Sequence, residues 1–397
     1  MFTNRYDIIT IGGGLGASVL AGAMAEGGVK VLVLEQELRF KDRVRGEFVT
    51  PWGAAEAKEL GELDVLCRKC AIEVPWVDMG MGPRNLIETT PLQRPGIAYS
   101  HPEMQETLIG EAEAAGAEVR RGVVVHGIEP GESPAVVVGS GGHSERISSR
   151  LIVAADGRNS AARKWAGFAV EKFPLPFLFA GVLLEDVSAP QDRFTAIFNP
   201  GLGTIGAVVP QTKGRFRAYV GYPTTADYRL QGNERVNLFL GEAAKAAPIL
   251  GEYCAKAKCI GPLASFDVSE LWVDHPYRNG IALIGDAAAT SDPTFGQGMP
   301  LTLRDARVLR DALLNNSDWD AAGHRYAEQH DAYFHNCHTA TGWYRSLFQE
   351  QSPEATLRRQ KAMPLIEKDQ TRVPDHLFSG PELPVDDEVR ARFFGER

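Results

Sequence analysis

Residues 7–35 read DIITIGGGLGASVLAGAMAEGGVKVLVLE, and their order decides the fold. Tyr6, Ile8, Ile9 and Ile11 form a short apolar run that stops at Gly12. An Ala- and Gly-rich helical pattern continues to about residue 27, and Lys30 to Glu35 is a second apolar run. A strand, a glycine loop, a helix and a second strand make a βαβ unit, the building block of a parallel sheet. Within the loop, GGGLGA (12–17), Gly12, Gly14 and Ala17 have the spacing of a dinucleotide fingerprint. Gly12 makes the turn, Gly14 lets backbone approach a pyrophosphate, and Ala17 lets helix and strand pack closely. The phosphates then lie at the helix N-terminus. Glu35 closes the second run, where a carboxylate holds the adenosine ribose hydroxyls and disfavours a 2′-phosphate. The pocket suits the ADP half of FAD or NAD.

A second glycine-rich stretch stands far downstream, GIALIGDAAATSDPTFGQGM at 280–299. Its strand-like run ends at Gly285-Asp286, and a glycine turn leads to a helix starting near Pro300. That arrangement aims an acid and a helix N-terminus at one ligand, a use that FAD has and NAD lacks. Asp286 can accept from a ribityl hydroxyl. The helix end at 298–301 can stabilise negative charge on a reduced ring, and Gly296 and Gly298 let that ring lie against the backbone.

The rest of the composition narrows the class. A chain of 397 residues, 44% hydrophobic and 23% charged, is an ordinary globular protein large enough for two domains. The net charge of −9 argues against nucleic acid. The first residues run straight into a strand pattern, and the longest apolar stretch, FPLPFLFAGVLL (173–184), is too short to span a bilayer. A cytoplasmic protein with no membrane span is expected. Five cysteines do not suggest a disulfide framework, and His324, His330, His335 and His338 lack a metal-site spacing, so no metal is expected.

Residues 102–115 read as a helix, followed by a strand centred on Val123 to Val125; SRLIVAAD (149–156) reads as another strand. Between about 173 and 275 the pattern alternates, as in RFTAIFN (193–199), RFRAYVGYP (215–223) and SFDVSELWVDHP (265–276). This predicts an antiparallel sheet with one helix between about 233 and 257. Helical sequence follows from about 300, and the final residues read as a wrapping tail. The organisation expected is α/β: a Rossmann-like domain from 1–75, 100–172 and 277–318, an inserted antiparallel-sheet domain from 76–99 and 173–276, and C-terminal helices over 319–397.

Three features together, GGGLGA with Glu35, AADGRNSAAR (154–163) and LIGDAAATSDPTFGQGM (283–299), resemble the class A FAD-dependent monooxygenases, the p-hydroxybenzoate hydroxylase-like group. The likeness covers about residues 5–320. It implies that NADH or NADPH reduces FAD, that O2 adds to give a C4a-hydroperoxyflavin, and that one oxygen atom passes to an aromatic or polycyclic small molecule. It also implies that Asp156 and Gly157 lie beside the pyrophosphate with Arg163 supporting their turn, and that Arg45 contacts a phosphate with Arg43 nearer the nicotinamide. His101 would touch the cofactor, and Pro293 would lie over the flavin face. Val125 is either a backbone contact to adenine or plain core. Met299 follows Gly298 at the helix start. The family often carries a His where Ala289 stands and an Asn where Pro300 stands.

For the substrate, Phe177, Phe179, Phe198, Tyr219, Tyr222 and Trp272, with Trp52 and Trp76, are the aromatic candidates. Arg217, Tyr219, Tyr222 and His275 are those for orienting or deprotonating it. A flavin-dependent halogenase or a reductase of the geranylgeranyl type is the alternative; the Trp-x-Trp-x-x-Pro stretch of halogenases is missing from the sequence. Monomer and homodimer both remain open.

Overall fold

The computed structural model describes residues 6–140 and 143–397; residues 1–5, the lead into the first strand, lie outside them. Ile8–Ile11 and Val31–Glu35 are parallel neighbours in a six-stranded sheet. Its order runs Tyr277–Arg278, Ile281–Leu283, Leu151–Ala154, Ile8–Ile11, Val31–Glu35, Glu118–Arg121, with the Tyr277 strand antiparallel. Residues of the central strands are buried on both faces, as parallel strands covered by helices must be. Helix Leu15–Glu26 covers one face, with helices His101–Ala114 and Gly298–Leu314 beside it.

The inserted sheet has eight strands, seven along one path and Ala264–Asp267 off it, paired to Phe177–Glu185. Phe177–Glu185, Phe216–Pro223, Thr204–Pro210 and Arg193–Asn199 are successive antiparallel neighbours. Trp76–Asp78 then adds in parallel to Arg193–Asn199 and carries Pro83–Asn85 at the edge. One face of this sheet packs under helix Val236–Ala246, around Phe239 and Tyr222. The other face looks toward the parallel sheet.

Three expectations are corrected. The strand expected around Val123–Val125 is two strands: Glu118–Arg121 in the parallel sheet, and Val124–Glu129 in a separate antiparallel sheet. The chain turns between them at Gly122, whose φ of 71° suits glycine. The helix expected over 233–257 is broken into Val236–Ala246 and Pro248–Tyr253. Pro248 forces Ala247 out of the helical region, to φ −152° and ψ 118°. Finally, residues 265–276 are not one strand. Ala264–Asp267 pairs in the eight-stranded sheet, whereas Glu270–Trp272 pairs with Glu171–Phe173 and Ala289–Thr290.

The C-terminal part contains a 30-residue helix, Trp319–Phe348, then helix Pro353–Lys368 and short helices at His376–Ser379 and Asp387–Phe393. Leu377 and Phe378 of the tail pack into an apolar cluster with residues of the inserted sheet. No helix among the described residues is long and apolar enough to cross a membrane.

Candidate active site

A cavity of about 590 Å³ lies between the two sheets, and the three glycine motifs meet in it. Gly12 and Gly14 form one wall beside Glu35. Asp156 and Gly157 adjoin it, with the Asp156 Cα 3.3 Å from where a Gly12 Cβ would be, and Gly285, Asp286, Gly296 and Gly298 also line the cavity.

The first wall presents backbone rather than side chains. Gly12 has φ +97°, and a Cβ there would meet the Ala155 carbonyl oxygen at 2.5 Å. Gly14 caps the helix Leu15–Glu26 with no side-chain hydrogen bond and no acid in the first turn. The helix therefore keeps its first N–H groups and its positive end free. Glu35 is buried, and its two oxygens accept from the amides of Gly13 at 2.7 Å and Glu37 at 2.8 Å. Its remaining lone pairs face the cavity, as ribose hydroxyls require. Ala17 is fully buried behind this wall, in the helix rather than the cavity.

At the other end, helix Gly298–Leu314 starts the same way: no side-chain cap and no acid in its first turn. The amides of Gly298 and Met299 lead it, and Pro300 has no N–H to leave unsatisfied. Gly296 adopts φ +65° and closes the turn that begins at Pro293. Both Pro293 and Met299 line the cavity. Gln297, 1% exposed, ties this turn down: its amide donates to the Phe295 carbonyl at 2.8 Å and accepts from the Trp52 indole at 3.2 Å.

Asp286 lines the cavity beside the second helix end, its Oδ1 4.0 Å from where a Gly298 Cβ would be. Burial raises its carboxyl above the usual carboxylate value, and the charges of Arg45, Arg158 and Arg163 pull it back. Among the described residues no hydrogen-bond donor reaches that carboxylate. A ribityl hydroxyl would supply one. The glycine cradles, two uncapped helix ends and this acceptor fit FAD.

Other candidates take more structural positions. The Asp156 carboxylate accepts from the Ala161 and Ala162 amides at 2.8 and 3.1 Å and from Ser160, so it caps helix Ala161–Trp165 from the cavity rim. Arg163 does not line the cavity. It donates to the Ala287 carbonyl at 2.9 Å and the Arg158 carbonyl at 3.0 Å, joining the second motif to the third. Arg43 is on the rim but is paired with Glu37. Arg45 lines the cavity with no ion pair among the described residues. Between them, Val44 is buried with φ +52°, an unusual conformation for a β-branched residue. Val125 borders the cavity together with Val123 and Val124.

Arg217 and Tyr222 are corrected: neither lines the cavity. Tyr222 is fully buried on the far face, where its hydroxyl accepts from the Leu230 amide at 3.0 Å. Side chains alternate along a strand, so residues 219 and 222 must point to opposite faces. Arg217 shares Tyr219's face, but its guanidinium is held by Glu47 at 2.7 and 3.0 Å and by Asp42 at 2.8 Å. Tyr219 reaches the cavity and donates its hydroxyl to the Arg45 carbonyl at 2.5 Å. Trp52, Trp76, Trp272, Phe177 and Phe198 also lie outside the lining, and His275 pairs with His324 at 2.7 Å on the surface. Conversely, Gln105 was missed. It lies one turn along the helix from His101 and faces Gly14, with Nε2 3.6 Å from where a Gly14 Cβ would be. Leu377 and Phe378 were missed because nothing local in the tail announces a return to the cavity.

His101 gives a pH prediction. Its Nδ1 lies 3.0 Å from the Gly46 carbonyl, which only accepts, so the neutral ring carries its proton on Nδ1. Burial pushes its pKa down to about 4 from the usual 6.5; the Gly46 carbonyl pulls it up and the Arg45 charge lowers it further. Below pH 6.5 the unfolded chain takes a proton that the folded chain refuses. Stability therefore falls as pH drops from 6.5 to 4, by about 1–3 kcal/mol. His101→Gln should show a shallower loss of Tm over that range in a pH series. Parallel Tm profiles for the two proteins would count against it.

Comparison with known proteins agrees with this architecture. A family model described as FAD binding domain matches residues 5–342. The chain is 28% identical over 322 residues to 6-methylpretetramide 4-monooxygenase of Streptomyces rimosus, covering 77% of this chain and 75% of that one. It is 28% identical over 327 residues to rifampicin monooxygenase of Streptomyces venezuelae, covering 76% of this chain and 62% of the relative. Among solved structures, p-nitrophenol 4-monooxygenase PnpA of Pseudomonas putida superposes with a TM-score of 0.79 at 17% identity, over 95% of this chain and 97% of that one. HpxO of Klebsiella pneumoniae, solved with FAD and uric acid, superposes with a TM-score of 0.77 at 22% identity, over 96% and 98%. The fold and site define a flavoprotein oxidoreductase that uses FAD. The chain belongs to the FAD binding domain family, within the p-hydroxybenzoate hydroxylase-like class of FAD-dependent monooxygenases.

Proposed function

We propose that this protein is an NAD(P)H- and O2-dependent monooxygenase that hydroxylates a small to medium aromatic or polycyclic compound. The observation that carries the reading is the continuity of the cavity. The same cavity is lined by Gly12, Glu35, Asp286 and Gly298 and by the apolar Phe179, Ile205, Ala207 and Phe266. In this reading residues 1–75, 100–172 and 277–318 hold FAD, and 76–99 with 173–276 supply the substrate wall.

Bound flavin supplies the electron and oxygen chemistry; the chain supplies position and electrostatics. Gly12, Gly14 and Glu35 anchor the ADP end, and Arg45 neutralises phosphate charge. Asp286 fixes the ribityl chain by accepting a hydroxyl. The N-terminus of helix Gly298–Leu314 favours negative charge on the ring. Apolar side chains of the inserted sheet keep water from the reacting face.

The test is NADH and NADPH oxidation in air by the FAD-loaded protein, with and without a panel of phenols, indoles, N-heteroaromatics and polyketides. A compound that speeds oxidation and gains one oxygen atom supports the reading. Ready flavin reduction with every product unoxygenated would replace it with a reductase, and a halogenated product in the presence of bromide or chloride with a halogenase.

A further inference from the structure

This inference rests on the oxygenase reading and concerns what its apolar wall accepts. Ala196, Ala207, Tyr219 and Gly181 are successive register partners across four strands of the inserted sheet. Because side chains alternate, residues two positions away share their face. On one side of this row stand Val209 and Arg217, on the other Ile205, Gly221 and Phe179.

The central row is low. Its one large member, Tyr219, folds over Gly181, where a Cβ would meet the Tyr219 ring at 2.8 Å, and it stacks on Phe179 with ring centroids 5.2 Å apart. Ala196 and Ala207 are left as a bare floor. Above it the stacked rings of Phe48 and Phe194, 4.7 Å apart, line the cavity as a wall. From Ala196 to Tyr219 the floor crosses three strands, roughly 10 Å. That is the long edge of a fused bicyclic ring system, and aromatic faces around a flat floor favour a flat ligand.

Charge decides the second property. Among the described residues Arg217 is the one cation in these rows, and it is 1% exposed and held by Glu47 and Asp42. Two carboxylates around one guanidinium leave the wall with no positive charge to offer. The Tyr219 hydroxyl already donates to the Arg45 carbonyl. The Arg45 side chain lines the same cavity, and in the reading on which this inference rests its charge is committed to the phosphates of FAD. An anionic substituent on this floor would lose its hydration without gaining a partner.

We propose that the slot takes an uncharged, flat, fused-ring aromatic compound and rejects carboxylated ones, with Ala196 and Ala207 setting the ring area it accepts. The probes are 2-naphthol and 2-naphthoate, titrated into the FAD-loaded protein without electron donor and followed by perturbation of the flavin absorption band. 2-Naphthol should bind at least about a hundredfold more tightly than 2-naphthoate. Ala207→Phe should weaken 2-naphthol binding at least about tenfold with FAD content unchanged. If that variant purifies without FAD, Ala196→Val, on the neighbouring strand, carries the measurement. Equal binding of the two probes, binding of neither, or variants that bind 2-naphthol like the parent would each overturn the proposal. 2-Naphthol that binds but emerges unoxygenated after turnover with NADH or NADPH in air would leave the slot standing and overturn the oxygenase reading.

Discussion

Gly12→Val is expected to purify as colourless protein, with FAD affinity lowered by more than about a hundredfold, or about 2.7 kcal/mol. Two effects of the substitution add. Gly12 has φ +97°, a region that a β-branched residue avoids, and a Cβ there meets the Ala155 carbonyl oxygen at 2.5 Å, closer than real Cβ contacts come. That carbonyl cannot yield cheaply, because Ala155 follows a central strand of the parallel sheet and its amide donates to Ile11 at 2.9 Å. The turn must open, and Gly13, Gly14 and the start of the helix move with it. Gly28→Ala separates strain from site. It also has positive φ, 79°, but nothing lies within 4 Å of its Cβ position. This variant should lose about 1 kcal/mol of stability and keep its flavin. The check is the absorbance ratio of flavin to protein after gel filtration, with calorimetric titration of FAD into the apoprotein. Stoichiometric FAD in Gly12→Val would sink the assignment of this wall to the cofactor.

The contrast between these glycines and the substrate wall shows where sequence speaks. Glycine turns are local: spacing and flanking apolar runs predict the βαβ unit, and the first two strands form at Ile8–Ile11 and Val31–Glu35. The FAD class was legible for the same reason, since each motif pairs a strand end with a helix start. Side-chain pairings across the chain left no such signal. Arg217 looked like a free polar group beside a substrate, yet its partner Glu47 is 170 residues earlier, in the loop after the second strand. Leu377 and Phe378 come to the cavity from a tail whose proline-rich, charged pattern reads as surface. Tyr222 was different. Its odd separation from Tyr219 was enough to put it on the opposite face, and the strand period should have excluded it. Element boundaries failed where a glycine or proline redirected the chain, at Gly122 between two strands and at Pro248 between two helices.

Arg217→Met is expected to destabilise the protein by about 3–5 kcal/mol, because it removes one partner of a buried ion pair. Glu47 and Arg217 are 1% exposed or less at their side chains and 2.7 Å apart. Glu47 also accepts from Gln211 and from the His101 amide at 3.3 Å, so it cannot turn to solvent when its cation is lost. Burial already pushes the Glu47 carboxyl above its usual 4.5, and the hydrogen bond and charge of Arg217 hold it down. Without Arg217 the carboxyl climbs further. A carboxyl whose folded pKa lies above its unfolded value keeps its proton longer when folded, so the penalty is full above the folded pKa and fades as pH falls toward 4.5. The stability gap between Arg217→Met and the parent should therefore narrow from pH 8 to pH 5 in urea denaturation. Adding Glu47→Gln removes the stranded charge while keeping an acceptor for Gln211 and the His101 amide. The double variant should recover at least about half of the loss, and its gap from the parent should not narrow toward acid as the single variant's does. A gap in Arg217→Met that stays constant from pH 8 to pH 5, or a double variant no more stable than the single one, would mean that Arg217 acts by packing alone. The pair would then not be what holds the loop of Arg43 and Arg45 against the inserted sheet.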